Sequence, residues 1–138
     1  MAYGIALALD EALGEQVRQL WRQFEAAGVG KTPAQFDEPP HITFSIFPSG
    51  NPAALAELVE ATPITDTGVR LIPFGVFLGD RHSLYYSAVL SPGLLQAHAR
   101  HYELIRERNI EYDPTYAPGN VLFHCTMAVE VEAGAFLR

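Results

Sequence analysis

The stretch His41-Ile42-Thr43-Phe44-Ser45-Ile46-Phe47 puts Ile42, Phe44 and Ile46 on one side of an extended chain and His41, Thr43 and Ser45 on the other. Side chains of a strand alternate between its two faces. The segment is therefore read as a half-buried strand with a polar second face. A second stretch, Val121 to Val131, repeats the arrangement. Cys125, Met127 and Val129 share one face; His124, Thr126 and Ala128 share the other. His41-Ile42-Thr43-Phe44 and His124-Cys125-Thr126-Met127 follow one pattern, His, apolar, Thr, apolar, with the second 83 residues after the first.

Outward from these strands the periodicity changes. Ala2 to Leu9 is short and apolar and reads as a strand buried on both faces. Asp10 can cap a helix over Glu11 to Ala27, where Leu13, Val17, Leu20, Trp21 and Phe24 recur at helical spacing. Gly28 and Gly30 stop it. Thr32 to Pro40 is a loop. Pro52 to Ala61 is a short helix with Leu55, Leu58 and Val59 on its apolar side, and proline suits its first turn. Val69 to Leu78 and Ser83 to Leu90 are strands joined through Gly79-Asp80-Arg81-His82 as a hairpin. Ser91 and Pro92 open a third helix that runs to about Arg108. Tyr112 to Asn120 is a loop that leads to the last strand. Helices and strands interleave around a central hairpin, which predicts an α+β fold of mainly antiparallel sheet and one domain over residues 1–138.

Composition narrows the function. The chain is 49% hydrophobic and carries a net charge of −7, with nine Lys plus Arg. Non-specific nucleic-acid binding draws on many Lys and Arg contacts to phosphate, and a broad basic surface is excluded. A small phosphate-bearing ligand or the end of an RNA is not. Cys125 is the one cysteine, so no internal disulfide and no cysteine-based zinc site can form. No apolar run reaches the length of a membrane span, and the N-terminus does not resemble a signal peptide. These features predict a cytoplasmic protein with no membrane association.

Residues i and i+2 lie on one face of a strand, so each motif presents one imidazole and one hydroxyl together. That set suits attack on a phosphodiester. A neutral imidazole can take a proton from the attacking water, and an imidazolium can give one to the leaving oxygen. Threonine hydroxyls can donate hydrogen bonds to phosphate oxygens. No metal or other cofactor is called for. Two edge histidines bonded to nearby backbone would satisfy the same pattern without chemistry. A non-catalytic module could also use the four residues to bind a nucleotide or RNA end.

The paired motifs resemble the two-histidine (2H) phosphoesterases, which include the RNA 2′,3′-cyclic phosphodiesterases also called 2′-5′ RNA ligases. Their signature is two His-x-Thr/Ser-x motifs about eighty residues apart, often preceded by proline. Here Pro39-Pro40 precede the first, and Tyr116-Ala117-Pro118-Gly119 precede the second. The resemblance spans nearly the whole chain. It implies two pseudo-symmetric lobes, each a small antiparallel sheet with outer helices, around a central cleft. It implies His41 and His124 as the catalytic acid–base pair and Thr43 and Thr126 as phosphate ligands. Val121-Leu122-Phe123 stand where many members have aromatic-x-Pro. Members usually continue past the second motif with another helix and strand, so either the chain is truncated or its second lobe is incomplete, and an uncovered sheet edge or apolar patch that favours self-association is expected.

Other signals are given structural readings. Gly28-Val29-Gly30-Lys31-Thr32 looks like the end of a phosphate-binding loop, but Glu25 stands where that motif needs glycine. It is read as a helix terminus. His98 and His101 are three apart on the third helix, and a surface position is expected for both. Arg81 is read as part of a solvated turn, and Cys125 as a small core residue. Tyr85, Tyr86, Tyr102 and Tyr112 are read as sheet and core residues. Tyr116 is the exception, as a ring that could stack on a base.

Overall fold

The computed structural model describes residues 1–132. In chain order these form β1 (Tyr3–Ala8), α1 (Glu11–Ala27), a 3₁₀ turn (Pro33–Phe36), β2 (His41–Phe47) and α2 (Pro52–Ala61). Then follow β3 (Val69–Phe77), β4 (His82–Leu90), α3 (Pro92–Glu107), a second 3₁₀ turn (Pro114–Tyr116) and β5 (His124–Val131). The fold is α+β, with three helices and two antiparallel sheets, β1-β2 and β3-β4-β5. Among the described residues, no helix is long and apolar enough to cross a membrane.

The helix ends obey local rules. The Asp10 carboxylate accepts the Leu13 N–H at 2.7 Å, Asn51 accepts from Ala53 at 2.9 Å, and Ser91 accepts from Leu94 at 3.3 Å. Gly28 closes α1 in the left-handed conformation, φ 67°. Gly30 has a different reason. Its φ is 144°, and a Cβ there would stand 2.6 Å from the Val129 carbonyl oxygen. The neighbouring Lys31 exchanges two backbone hydrogen bonds with Val129, at 2.9 and 2.7 Å. The Gly-rich stretch is thus a helix cap and a close passage beside β5.

The chain divides into two compact units. One comprises residues 1–6, 43–70 and 89–123. Its core is built from Phe47, Leu55, Leu58, Tyr102 and Ile105, with Tyr3, Ile5, Tyr112 and Tyr116 packed at the margin. Tyr116, expected as a stacking ring, is a half-buried part of this core. The other unit comprises residues 7–42, 71–88 and the chain from His124. Here α1 lies against β5, with Val17, Trp21, Ile42, Leu84, Cys125 and Met127 buried.

Four readings of the sequence are corrected. β1 is not buried on both faces. Tyr3, Ile5 and Leu7 are half-buried, whereas Gly4, Ala6 and Ala8 are exposed; its uniform hydropathy conceals an alternation of large with small. Val59 lies off the buried side of α2 and is 50% exposed. β5 begins at His124, not Val121. The fourth concerns α3. His98 and His101 are buried, because they sit in the stripe of Leu94, Ala97, Tyr102 and Ile105 that faces the core. His101 has both ring nitrogens hydrogen-bonded there and His98 its Nε2, as burial requires.

Candidate functional site

β2 and β5 share one burial sequence through their first six residues. His41 and His124 are half-buried, Ile42 and Cys125 buried, Thr43 and Thr126 half-buried, then Phe44-Ser45 and Met127-Ala128 buried in pairs. The internal repeat therefore extends to the places where alternation fails. In β5 the failure is a bulge. Leu84 pairs with Ala128 and Tyr85 with Thr126, so Met127 is an extra residue in the ladder, and Met127 and Ala128 both turn inward. In β2 the failure is chemical. Ser45 is buried because its hydroxyl meets His101 Nε2 at 2.8 Å.

His41 is fixed by its own approach. Its Nδ1 lies 2.7 Å from the Pro39 carbonyl oxygen. A carbonyl can only accept, which assigns the proton to Nδ1. Nε2 is then the atom that can take up a proton from the neutral ring. The preceding Pro40 accepts the Leu9 N–H at 3.1 Å, which ties the motif's entry to the end of β1. In β5 the Trp21 indole N–H donates to the Thr126 carbonyl at 3.1 Å and pins the second motif to α1. His124 pairs across the ladder with Ser87, and Thr126 with Tyr85. The His124 imidazole touches two rings, Phe77 at 4.8 Å and Tyr85 at 5.4 Å between centroids.

The two motif segments meet, and each unit reports it separately. In the unit that contains both histidines, the His41 backbone lies close enough to the Cys125 thiol to favour its ionised form. Burial nonetheless pushes that thiol up to about 11, so Cys125 is an inert core group. In the other unit the Phe44 ring, next after Thr43, lies 6.2 Å from that of Phe123, next before His124. The last residue of the first motif thus touches the residue just before the second.

No family model, no curated protein and no solved structure matches this chain.

The buried histidines of α3 are structural. His98 Nε2 approaches the Tyr116 carbonyl at 2.9 Å and the Phe44 carbonyl at 3.3 Å, and Tyr102 donates to the same Phe44 oxygen at 3.1 Å. His101 Nδ1 meets the Thr62 hydroxyl at 3.0 Å, and that hydroxyl donates to the Leu58 carbonyl at 2.9 Å. The Thr62 oxygen must then accept, so His101 carries its proton on Nδ1 and takes a hydrogen bond from Ser45 on Nε2. Burial lowers His101 to about 4, and its neighbour His98 adds to that. Both are neutral pins at physiological pH. Among the described residues no cluster of His, Cys, Asp and Glu could hold a metal ion. Arg81, with Lys31, is engaged by the Glu130 carboxylate at 3.3 and 2.9 Å.

Reading the sequence did not find the Phe77–Tyr85 contact with His124. The hairpin order was legible, but not which of its aromatic residues share the face of the second motif. The stripe at 94, 97–98, 101–102 and 105 was a signal for the buried histidines, since it follows helical spacing.

Proposed function

We propose that the protein is a two-histidine phosphodiesterase that hydrolyses a 2′,3′-cyclic or 2′,5′-linked phosphodiester of a nucleotide or RNA end. The observation that carries this reading is the meeting of two His-x-Thr segments with the same burial sequence. In the proposed reaction one imidazole takes a proton from water as its oxygen attacks phosphorus. The other gives a proton to the ribose oxygen as the P–O bond breaks. Thr43 and Thr126 donate hydrogen bonds to the non-bridging oxygens, where charge builds up in the transition state. The Pro39 carbonyl holds the His41 ring so that Nε2 exchanges the proton. The acid–base pair and hydroxyls suffice for this chemistry without a resident metal.

A net charge of −7 supports a small substrate over a long nucleic acid. The reading places the enzyme in the cytoplasm, in keeping with its single reduced cysteine. It also gives the chain a tendency to self-associate through β3, an outer strand of its sheet, where Phe74 is 62% and Leu78, just beyond it, 83% exposed. The test is a panel of 2′,3′-cyclic nucleotides and 2′,5′-linked dinucleotides, assayed with and without chelator. Turnover insensitive to chelator is expected. Loss on chelation with recovery on adding zinc or magnesium would assign another mechanism. Tight binding without turnover would make the protein a nucleotide-binding module.

A further inference from the structure

We propose that Phe77 and Tyr85, with Gly75 as their seat, are positioning residues that fix the His124 imidazole. The inference rests on the catalytic reading of His124 given above. Phe77 and Tyr85 stack on each other, 4.2 Å between centroids and 26° between planes. The imidazole stands nearly upright to both, at 73° to Phe77 and 62° to Tyr85. With sides of 4.2, 4.8 and 5.4 Å, the three centroids form a compact triangle. The imidazole thus flanks the stack rather than capping it, in edge contact with both rings.

The stack is itself seated by a gap in β3. A Cβ at Gly75 would fall on the Tyr85 hydroxyl and ring. Glycine is needed there for room, since its φ is not in the left-handed region. The Tyr85 hydroxyl therefore points at the Gly75 backbone, and its ring meets His124. Register agrees, because Tyr85 and Ser87 oppose Thr126 and His124 and so share their face. The second aromatic pair of the hairpin, Phe74 and Tyr86, is 6.4 Å apart, and Tyr86 opposes Cys125 on the other face. Acid–base catalysis depends on the proton-bearing atom being held to within a fraction of an ångström. Strand β5 supplies the backbone of His124, and the two rings contribute to its orientation.

The test is steady-state hydrolysis of a 2′,3′-cyclic nucleotide by the full chain and its variants. Phe77→Ala and Tyr85→Ala are each expected to lower kcat on the order of 10- to 100-fold, with KM little changed. Tyr85→Phe should keep wild-type turnover, since the ring and not the hydroxyl is used. Gly75→Ala should lose activity, and Gly75→Ala with Tyr85→Ala should be no worse than Tyr85→Ala alone. Unchanged kcat in both alanine variants, or a loss confined to KM, would overturn the proposal. Phe77 is 40% exposed, so its replacement leaves the fold intact, which thermal melts verify. If wild-type protein cleaves no phosphodiester, the functional reading fails by itself. The ring arrangement is then judged by the His124 imidazole NMR signals. They should lose their ring-current shift in Phe77→Ala and keep it in Tyr85→Phe, and signals indifferent to Phe77 would refute it.

Discussion

His101 shows how one buried side chain sets a pH limit on the fold. It is 1% exposed and must stay neutral to accept from Ser45 while donating to Thr62. Its folded value, about 4, lies below the ordinary 6.5. As pH falls through 6.5 the unfolded chain takes up the proton first. The contribution to stability is therefore complete above pH 6.5 and is lost as pH falls through about 4. Urea unfolding across this window should show stability falling with acid. His101→Gln should be less stable at pH 7 and should show a shallower slope between pH 6.5 and 4. A slope unchanged by the substitution would mean that His101 does not titrate as described. His98 and His101 also explain a failure of the sequence reading. Histidine is not a core residue by type, so residue type alone puts the pair at the surface, although the spacing of Leu94, Ala97 and Ile105 puts both on the buried face.

Among the elements, boundaries set by local chemistry were legible and departures set by partners were not. Asp10 and Gly28 mark α1, and Pro52 and Ser91 mark the starts of α2 and α3, because caps act within one turn. The Met127 bulge could not be read, because it depends on what β4 offers in the opposite strand. Nor could the burial of Ser45, which depends on a histidine 56 residues away. Gly28 and Gly30 separate the two kinds of cause. Gly28 has φ 67° and open space around it, so Gly28→Ala should cost about 1–2 kcal/mol for a left-handed residue, and Gly28→Asn less. Gly30→Ala adds a collision with the Val129 carbonyl and should cost clearly more. Chemical denaturation of both variants compares them. Equal losses would show that β5 yields at that point and that the close approach is not required.

For the whole molecule, the α+β class and the hairpin between the motifs followed from the order of periodicities. The meeting of the motif segments did not, since 83 residues separate them. Ile72, Phe74 and Phe77 of β3 and Leu78 just past its end are exposed together, whereas Val129 in β5 is paired by Lys31. Pro73 removes one donor from β3, so association there is expected through side chains rather than ladder hydrogen bonds. Sedimentation over a range of concentrations should show reversible self-association, and Phe74→Lys with Leu78→Lys should abolish it. A wild-type chain that stays monomeric at the highest concentration would rule this out.

The claim that His41 and His124 act as one acid–base unit is tested most directly by a mutant cycle on 2′,3′-cyclic nucleotide hydrolysis. His41→Ala and His124→Ala should each lower turnover by about 10²- to 10⁴-fold. The double variant should lose less than the product of the two. Thr43→Ala and Thr126→Ala should lose less than either histidine variant, about 1.5–3 kcal/mol for a hydrogen bond to a charged group. Wild-type turnover in both histidine variants, on a substrate the protein does cleave, would contradict the account.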